Sequence, residues 1–192
     1  RDKLTQAIIR DFERYEIYDS DDLSTFKDIH IELWEAFEKD ADPHTTYIFE
    51  CVFLQNHINE LILKYNASWE NQLSYFKDLS STLESLKPVV FHISQTNVDS
   101  TLERIIEERR SPDPDAFSDW IDVMVDHLKS QPFGKKLGYE NTAGVFRYFK
   151  DRQKLEKSIL NHLELPVHSF SLDDDYDSIF DEMEALTLTW RT

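Results

Sequence analysis

The chain has 192 residues, a net charge of −17, 40% hydrophobic and 13% aromatic residues. That length fits one domain with a sizeable core, and the aromatic content excludes a disordered chain. The negative field opposes nucleic acid and anionic membrane surfaces, and no basic stripe relieves it, since Lys135–Lys136 and Arg109–Arg110 are isolated pairs.

The single cysteine, Cys51, permits no intrachain disulfide. No apolar stretch reaches 18 residues, and no signal peptide or lipidation pattern is present. A cytoplasmic location is expected. The chain opens on Arg1 rather than Met, so a fragment or a processed product is expected. Only three glycines occur, Gly134, Gly138 and Gly144, where average usage gives roughly 13.

In chain order, Leu4, Ile8, Phe12 and Tyr15 predict a helix over 3–16. Leu23, Phe26, Ile29, Leu33, Trp34 and Phe37 predict a second, ended by Asp42-Pro43. The run Tyr47-Ile-Phe-Glu-Cys-Val-Phe-Leu54 is nearly all apolar and predicts a strand over 46–53 buried on both faces. Helices follow on Ile58, Leu61, Ile62 and Tyr65, and on Trp69, Leu73, Phe76, Leu79 and Leu83. Val89–Ser94 predicts a second strand, and the helix after it carries Val98, Leu102, Ile105 and Ile106. Ser111-Pro-Asp-Pro114 breaks the chain. Helices are expected around Trp120–Leu128, 145–163 and Ile179–Leu186, with a last strand over 166–171. Strands alternating with helices predict an α/β fold with a parallel sheet, helix-rich and of three layers. Three strands are few for so many helices, so further strands are expected upstream of Arg1.

Glu50 is the most informative residue, because a carboxylate inside a buried strand is costly unless paired or bound to a cation. It is expected at the carboxyl edge of the sheet, facing a cleft shared with Arg104, Arg109 or Arg110. It reads as a general base or magnesium-orienting group, or else as the partner of a core arginine or a carboxylate merely exposed at a strand end. The three arginines suit phosphate, and equally suit ordinary pairs with Glu103, Glu107 and Glu108. Lys135 sits in a glycine-bearing loop that either closes over phosphates or is merely solvated. Gln55 and Asn56 follow the Glu50 segment and either contact substrate or cap the next helix. Tyr139 closes the same glycine loop and is a further substrate-binding candidate. The histidines lack metal-ligand spacing, and Asp173–Asp177 lacks the glycine and final glutamate of a calcium loop, so no metal ligand set is expected. The run reads instead as a helix N-terminus. The phosphate cradle G-x-x-x-x-G-K-[ST] is absent: the one Gly-Lys, Gly134-Lys135, is followed by Lys136.

Several segments, in order, resemble a known family. Tyr47–Asn56, Lys87–Arg109, Phe133-Gly-Lys135 and Arg147–Glu156 resemble a poorly characterised bacterial group of P-loop nucleoside-triphosphatases related to thymidylate-kinase-like nucleotide kinases. The resemblance runs over about 20–185 and implies a P-loop kinase-like domain whose N-terminal strand and Walker A segment precede this chain. It implies a single domain over 1–192, with 111–163 a helical lid-like insertion. It places the family's acidic residue on Glu50 and its lid arginines on Arg104, Arg109 and Arg110. ATP and magnesium are implied for the complete protein and not for the isolated chain. A small-molecule phosphoryl acceptor or nucleotide is the expected partner. The competing expectation is a non-catalytic intracellular interaction module that kept the fold.

Overall fold

The computed structural model describes residues 20, 22–113, 116–173 and 175–190. The helix expected over 3–16 lies outside them. Among the described residues the protein is helix-rich α/β with one small parallel sheet. It divides into two compact units, Arg1–Lys87 and Pro88–Thr192.

The described part of the first unit is helical. Helix α1 (Leu23–Asp40) starts where Asp22 accepts a hydrogen bond from the Thr25 amide at 2.9 Å. It buries Phe26, His30 and Trp34, one residue per turn on a single face. Helix α2 (Gln55–Leu63) buries His57, Ile58, Leu61 and Leu63. Helix α3 (Trp69–Thr82), capped by Ser68, buries Gln72, Tyr75, Phe76 and Leu79 and packs on α1. Phe26, Ile58, Leu61, Tyr75 and Phe76 have no exposed surface and form the centre of this unit. A 3-10 turn, Glu84–Leu86, ends it at Lys87, whose φ is +51°.

The run 46–53 is not a strand. Residues 42–50 are exposed, and 51–54 form a bend and turn leading into α2. Apolar content predicts burial, but a strand also needs a neighbour for its amides and carbonyls. The only ladder among the described residues belongs to the other unit. Tyr47 and Phe49 instead set their rings edge-on against Phe37 and Trp34 of α1, with centroids 5.0 to 5.2 Å apart.

In the second unit, β1 (Val90–Ser94) pairs in parallel with β2 (Val167–Ser171), Val90 opposite Val167 and Ser94 opposite Ser171. The connection between them carries α4 (Val98–Glu108), α5 (Trp120–Ser130) and α6 (Thr142–Leu160). Helix α6 packs against both α4 and α5. Helix α7 (Tyr176–Trp190) follows β2. Asp175 accepts from the Ser178 amide at 3.3 Å, so the end of the acidic run serves as a helix start. The strands are not covered on both faces as expected: His92 and Phe170 are buried, while Ile93 is 43% exposed. The core of this unit is Leu102, Leu128, Val145, Tyr148, Ile159 and Leu160. No helix among the described residues is long and apolar enough to cross a membrane.

Candidate functional site

Glu50 does not lie on a sheet edge. It is an exposed residue at a bend, followed by Cys51 in a left-handed conformation with φ +62°. The Cys51 thiol faces the Gln55 side-chain oxygen at 3.6 Å and the Glu50 carboxylate at 4.0 Å. Gln55 and Asn56 open α2, half-buried. The structure therefore groups Glu50, Cys51, Gln55 and Asn56 in one turn of the first unit.

The arginines belong to the second unit. Arg104 pairs with Glu108 at 3.2 Å and Arg110 with Glu107 at 2.8 Å, three or four residues apart in the chain. The Arg109 guanidinium lies 6.0 Å from the centre of the Trp120 ring. All three are exposed, and exposed pairs of this kind are worth about 0–1 kcal/mol. Their heads are thus held loosely enough to exchange a carboxylate for another anion.

The glycine-bearing segment 131–138 is a succession of turns rather than an open loop. Leu137 and Gly138 amides donate to Phe133 and Lys135 carbonyls at 2.9 Å, and the Tyr139 amide donates to Gly134 at 2.8 Å. Arg147 of α6 donates to the Leu137 carbonyl at 2.9 Å and to that of Gly138. Gly138 has φ +76°, where a side chain is strained. Lys135 and Lys136 stand exposed on these turns, with Lys136 5.2 Å from the Phe133 ring centre. Tyr139 is buried, donates to Asp151 at 3.0 Å and lies under the Arg147 guanidinium. Burial, then the Asp151 carboxylate, pushes its phenol well above the ordinary tyrosine range. Its hydroxyl is occupied by α6.

Two polar clusters were not anticipated from the sequence. In the second unit, His92 of β1 faces Glu156 of α6 at 3.7 Å, and Glu156 pairs with Arg152 at 3.1 Å, all three side chains being largely covered. Beside it, Gln153 donates to the Gln95 carbonyl at 2.8 Å and Lys150 pairs with Asp99 at 2.6 Å. These contacts anchor α6 to the segment just beyond the carboxyl end of β1. The signal was a histidine within Val89-Val-Phe-His-Ile-Ser94, the same anomaly that singled out Glu50. In the first unit, His57 Nδ1 shares a 2.8 Å hydrogen bond with the Tyr75 hydroxyl, both buried. His57 sits 4.5 Å, ring to ring, from His30. Burial, reinforced by His30, pushes the His57 pKa down to about 3, and burial lowers that of His30. Among the described residues no group of three or more His, Cys, Asp or Glu is placed to hold a metal ion.

No protein-family model matches the chain, and no curated protein and no solved structure is significantly similar to it.

Proposed function

We propose that the chain is the greater part of a P-loop, nucleotide-kinase-like phosphotransferase of the cytoplasm, with a three-layer α/β/α fold completed by strands outside these 192 residues. The observation that carries this reading is the parallel pairing of β1 with β2 across a long helical connection. Such a connection is how doubly wound sheets are built. Its first helix carries the exposed Arg104 and is followed directly by the exposed Arg109 and Arg110.

The residues present do not by themselves fit Mg-ATP. No segment supplies the glycine-rich backbone cradle that holds β- and γ-phosphates. What the chain contributes under this reading is charge and acid–base chemistry. In the second unit, Arg104, Arg109, Arg110 and Lys135 are the groups suited to neutralising phosphate oxygens; in the first unit, Glu50 is the group suited to accepting a proton from the hydroxyl of a small-molecule acceptor or nucleotide. Gln55 and Asn56 follow that carboxylate by five and six residues and, under this reading, orient the acceptor. The second reading, a non-catalytic interaction module, is favoured by the same missing cradle.

Three measurements test these readings, the last two of which separate them. Calorimetric titration of the 192-residue chain with Mg-ATP is expected to show no binding, and a micromolar Kd would overturn the assignment of the cradle to another segment. In the gene product that carries this chain, a G-x-x-x-x-G-K-[ST] motif is expected upstream. There, Glu50→Gln lowers phosphoryl transfer by roughly a hundredfold with an unchanged melting temperature, because the side chain is exposed. Full activity in the variant would remove Glu50 from the chemistry, and absence of the motif would favour the module.

A further inference from the structure

The first unit contains a hollow of about 240 Å³ that none of the roles proposed for Glu50 or the arginines uses. Its walls are three aromatic rings, Trp34, Phe37 and Phe49, set edge-to-face with interplanar angles of 74° to 88° and centroids 5.1 to 5.7 Å apart. Leu33 and Val52 add aliphatic surface, and the two histidines of the buried cluster complete the lining. Leu33 and Phe49 are about half exposed, 48% and 49%, so the hollow is open to solvent at these residues.

Four features restrict what fits. No lining residue is a carboxylate, an ammonium or a guanidinium, and burial keeps His57 neutral. A charged occupant would therefore lose its hydration without a counter-charge. The walls are mutually perpendicular rings, against which a further planar ring adds in offset or edge-on contact. His57 supplies one directed polar contact. It is 1% exposed, its Nδ1 is taken by the Tyr75 hydroxyl, and its Nε2 has no hydrogen-bond partner among the described residues. A purely apolar occupant, such as a leucine or phenylalanine side chain of a partner, would seal that nitrogen away from water unpaired, which costs roughly 1–3 kcal/mol. The size lies just below the range of about 300–1,000 Å³ typical of ligand pockets, which limits the occupant to one or two fused rings.

We propose that this hollow binds a small, uncharged, planar heteroaromatic group, packed against the Trp34, Phe37 and Phe49 rings and hydrogen-bonded at its edge to His57 Nε2. The proposal stands apart from the phosphotransferase reading, because it uses none of the residues assigned there.

The test uses the full 192-residue chain at pH 7.5 with benzimidazole, neutral at that pH, as the probe, followed by NMR. Saturable binding with a Kd of about 1 mM or tighter is expected, with shift changes at the Trp34 indole and His57 ring nitrogens. Toluene should bind at least fivefold more weakly, for lack of a ring nitrogen, and cyclohexanol should not saturate. Phe49→Ala removes a wall and Leu33→Trp fills the mouth. Both positions are half exposed, so the fold should persist, and each variant should weaken benzimidazole at least fivefold. The absence of saturable binding, equal affinity for toluene, or shifts away from Trp34 and His57 would overturn the proposal. So would a concentration-dependent dimer that excludes the probe, since the hollow would then be a surface between copies.

Discussion

Burial holds the His57 imidazole neutral down to a pH of about 3, whereas a free histidine charges near 6.5. The folded state thus refuses a proton that the unfolded chain accepts. The stabilisation is complete above pH 6.5 and is lost progressively as the pH falls from there towards 3. His30 adds to the loss with the same sign. One such group contributes a slope of about 1.4 kcal/mol per pH unit inside that window. Urea unfolding between pH 7 and 4 should therefore show a steep fall for the native chain and a shallower one for His57→Gln, which keeps an acceptor for Tyr75. Equal slopes would mean that His57 is solvated in the folded state. Glu50 illustrates the opposite case. Its chemistry was inferred from apolar neighbours in sequence, yet Tyr47, Ile48 and Phe49 before it are exposed and Cys51, Val52 and Phe53 after it are only half-buried. The premise of a buried carboxylate fails, and the acid–base role proposed for Glu50 rests on its accessibility instead.

At the scale of elements, helices were legible because their periodicity and caps are local. Phe26, His30 and Trp34 on α1, or Ser68 before α3, need no knowledge of the rest of the chain. The start of α6 shows how tightly one element fixes another. Asn141 caps it by accepting from the Gly144 amide at 2.9 Å, and Gly144 lies against the 131–139 turns. A methyl group there would sit 2.7 Å from the Gly138 carbonyl oxygen and 2.7 Å from the Tyr139 Cα. Alanine gains about 1 kcal/mol of helix propensity over glycine, but backbone atoms on both sides cannot yield cheaply, and overpacking costs about 1–3 kcal/mol. The clash wins. Gly144→Ala should lower stability by about 1–2 kcal/mol in urea unfolding, with loss of hydrogen-exchange protection at the Tyr139 amide. A stabilised variant would show that the turns move aside. The strand expected over 46–53 failed for a matching reason: a strand is defined by its neighbour, and apolar residues alone do not supply one.

Across the whole molecule, 38 acidic residues face 21 basic ones. Self-repulsion opposes the compact state and is screened by salt over about 10 Å at 0.1 M. Exposed pairs such as Arg104–Glu108 also weaken with salt, but each is worth only about 0–1 kcal/mol. Repulsion among the excess carboxylates outweighs them. Raising sodium chloride from 20 to 300 mM should raise the melting temperature by about 2–4 °C, the shift produced by roughly 1 kcal/mol in a chain of this length. A fall in melting temperature would mean that the ion pairs, Lys150–Asp99 among them, outweigh the self-repulsion.

By itself the sequence determined the positions of seven helices among the described residues, the two strands around Phe91 and Phe170, and the absence of a glycine-rich phosphate cradle. Each depends on spacing, capping or composition within a dozen residues. Tertiary structure decided the rest. It exposed Tyr47–Glu50, gave Arg104 and Arg110 to carboxylates three or four residues away, and committed Tyr139 to Asp151. It also joined His57 to Tyr75 and His92 to Glu156, 18 residues apart in the first case. Those pairings depend on which surfaces meet, and the free energy of a buried polar group is set by the partner it finds there.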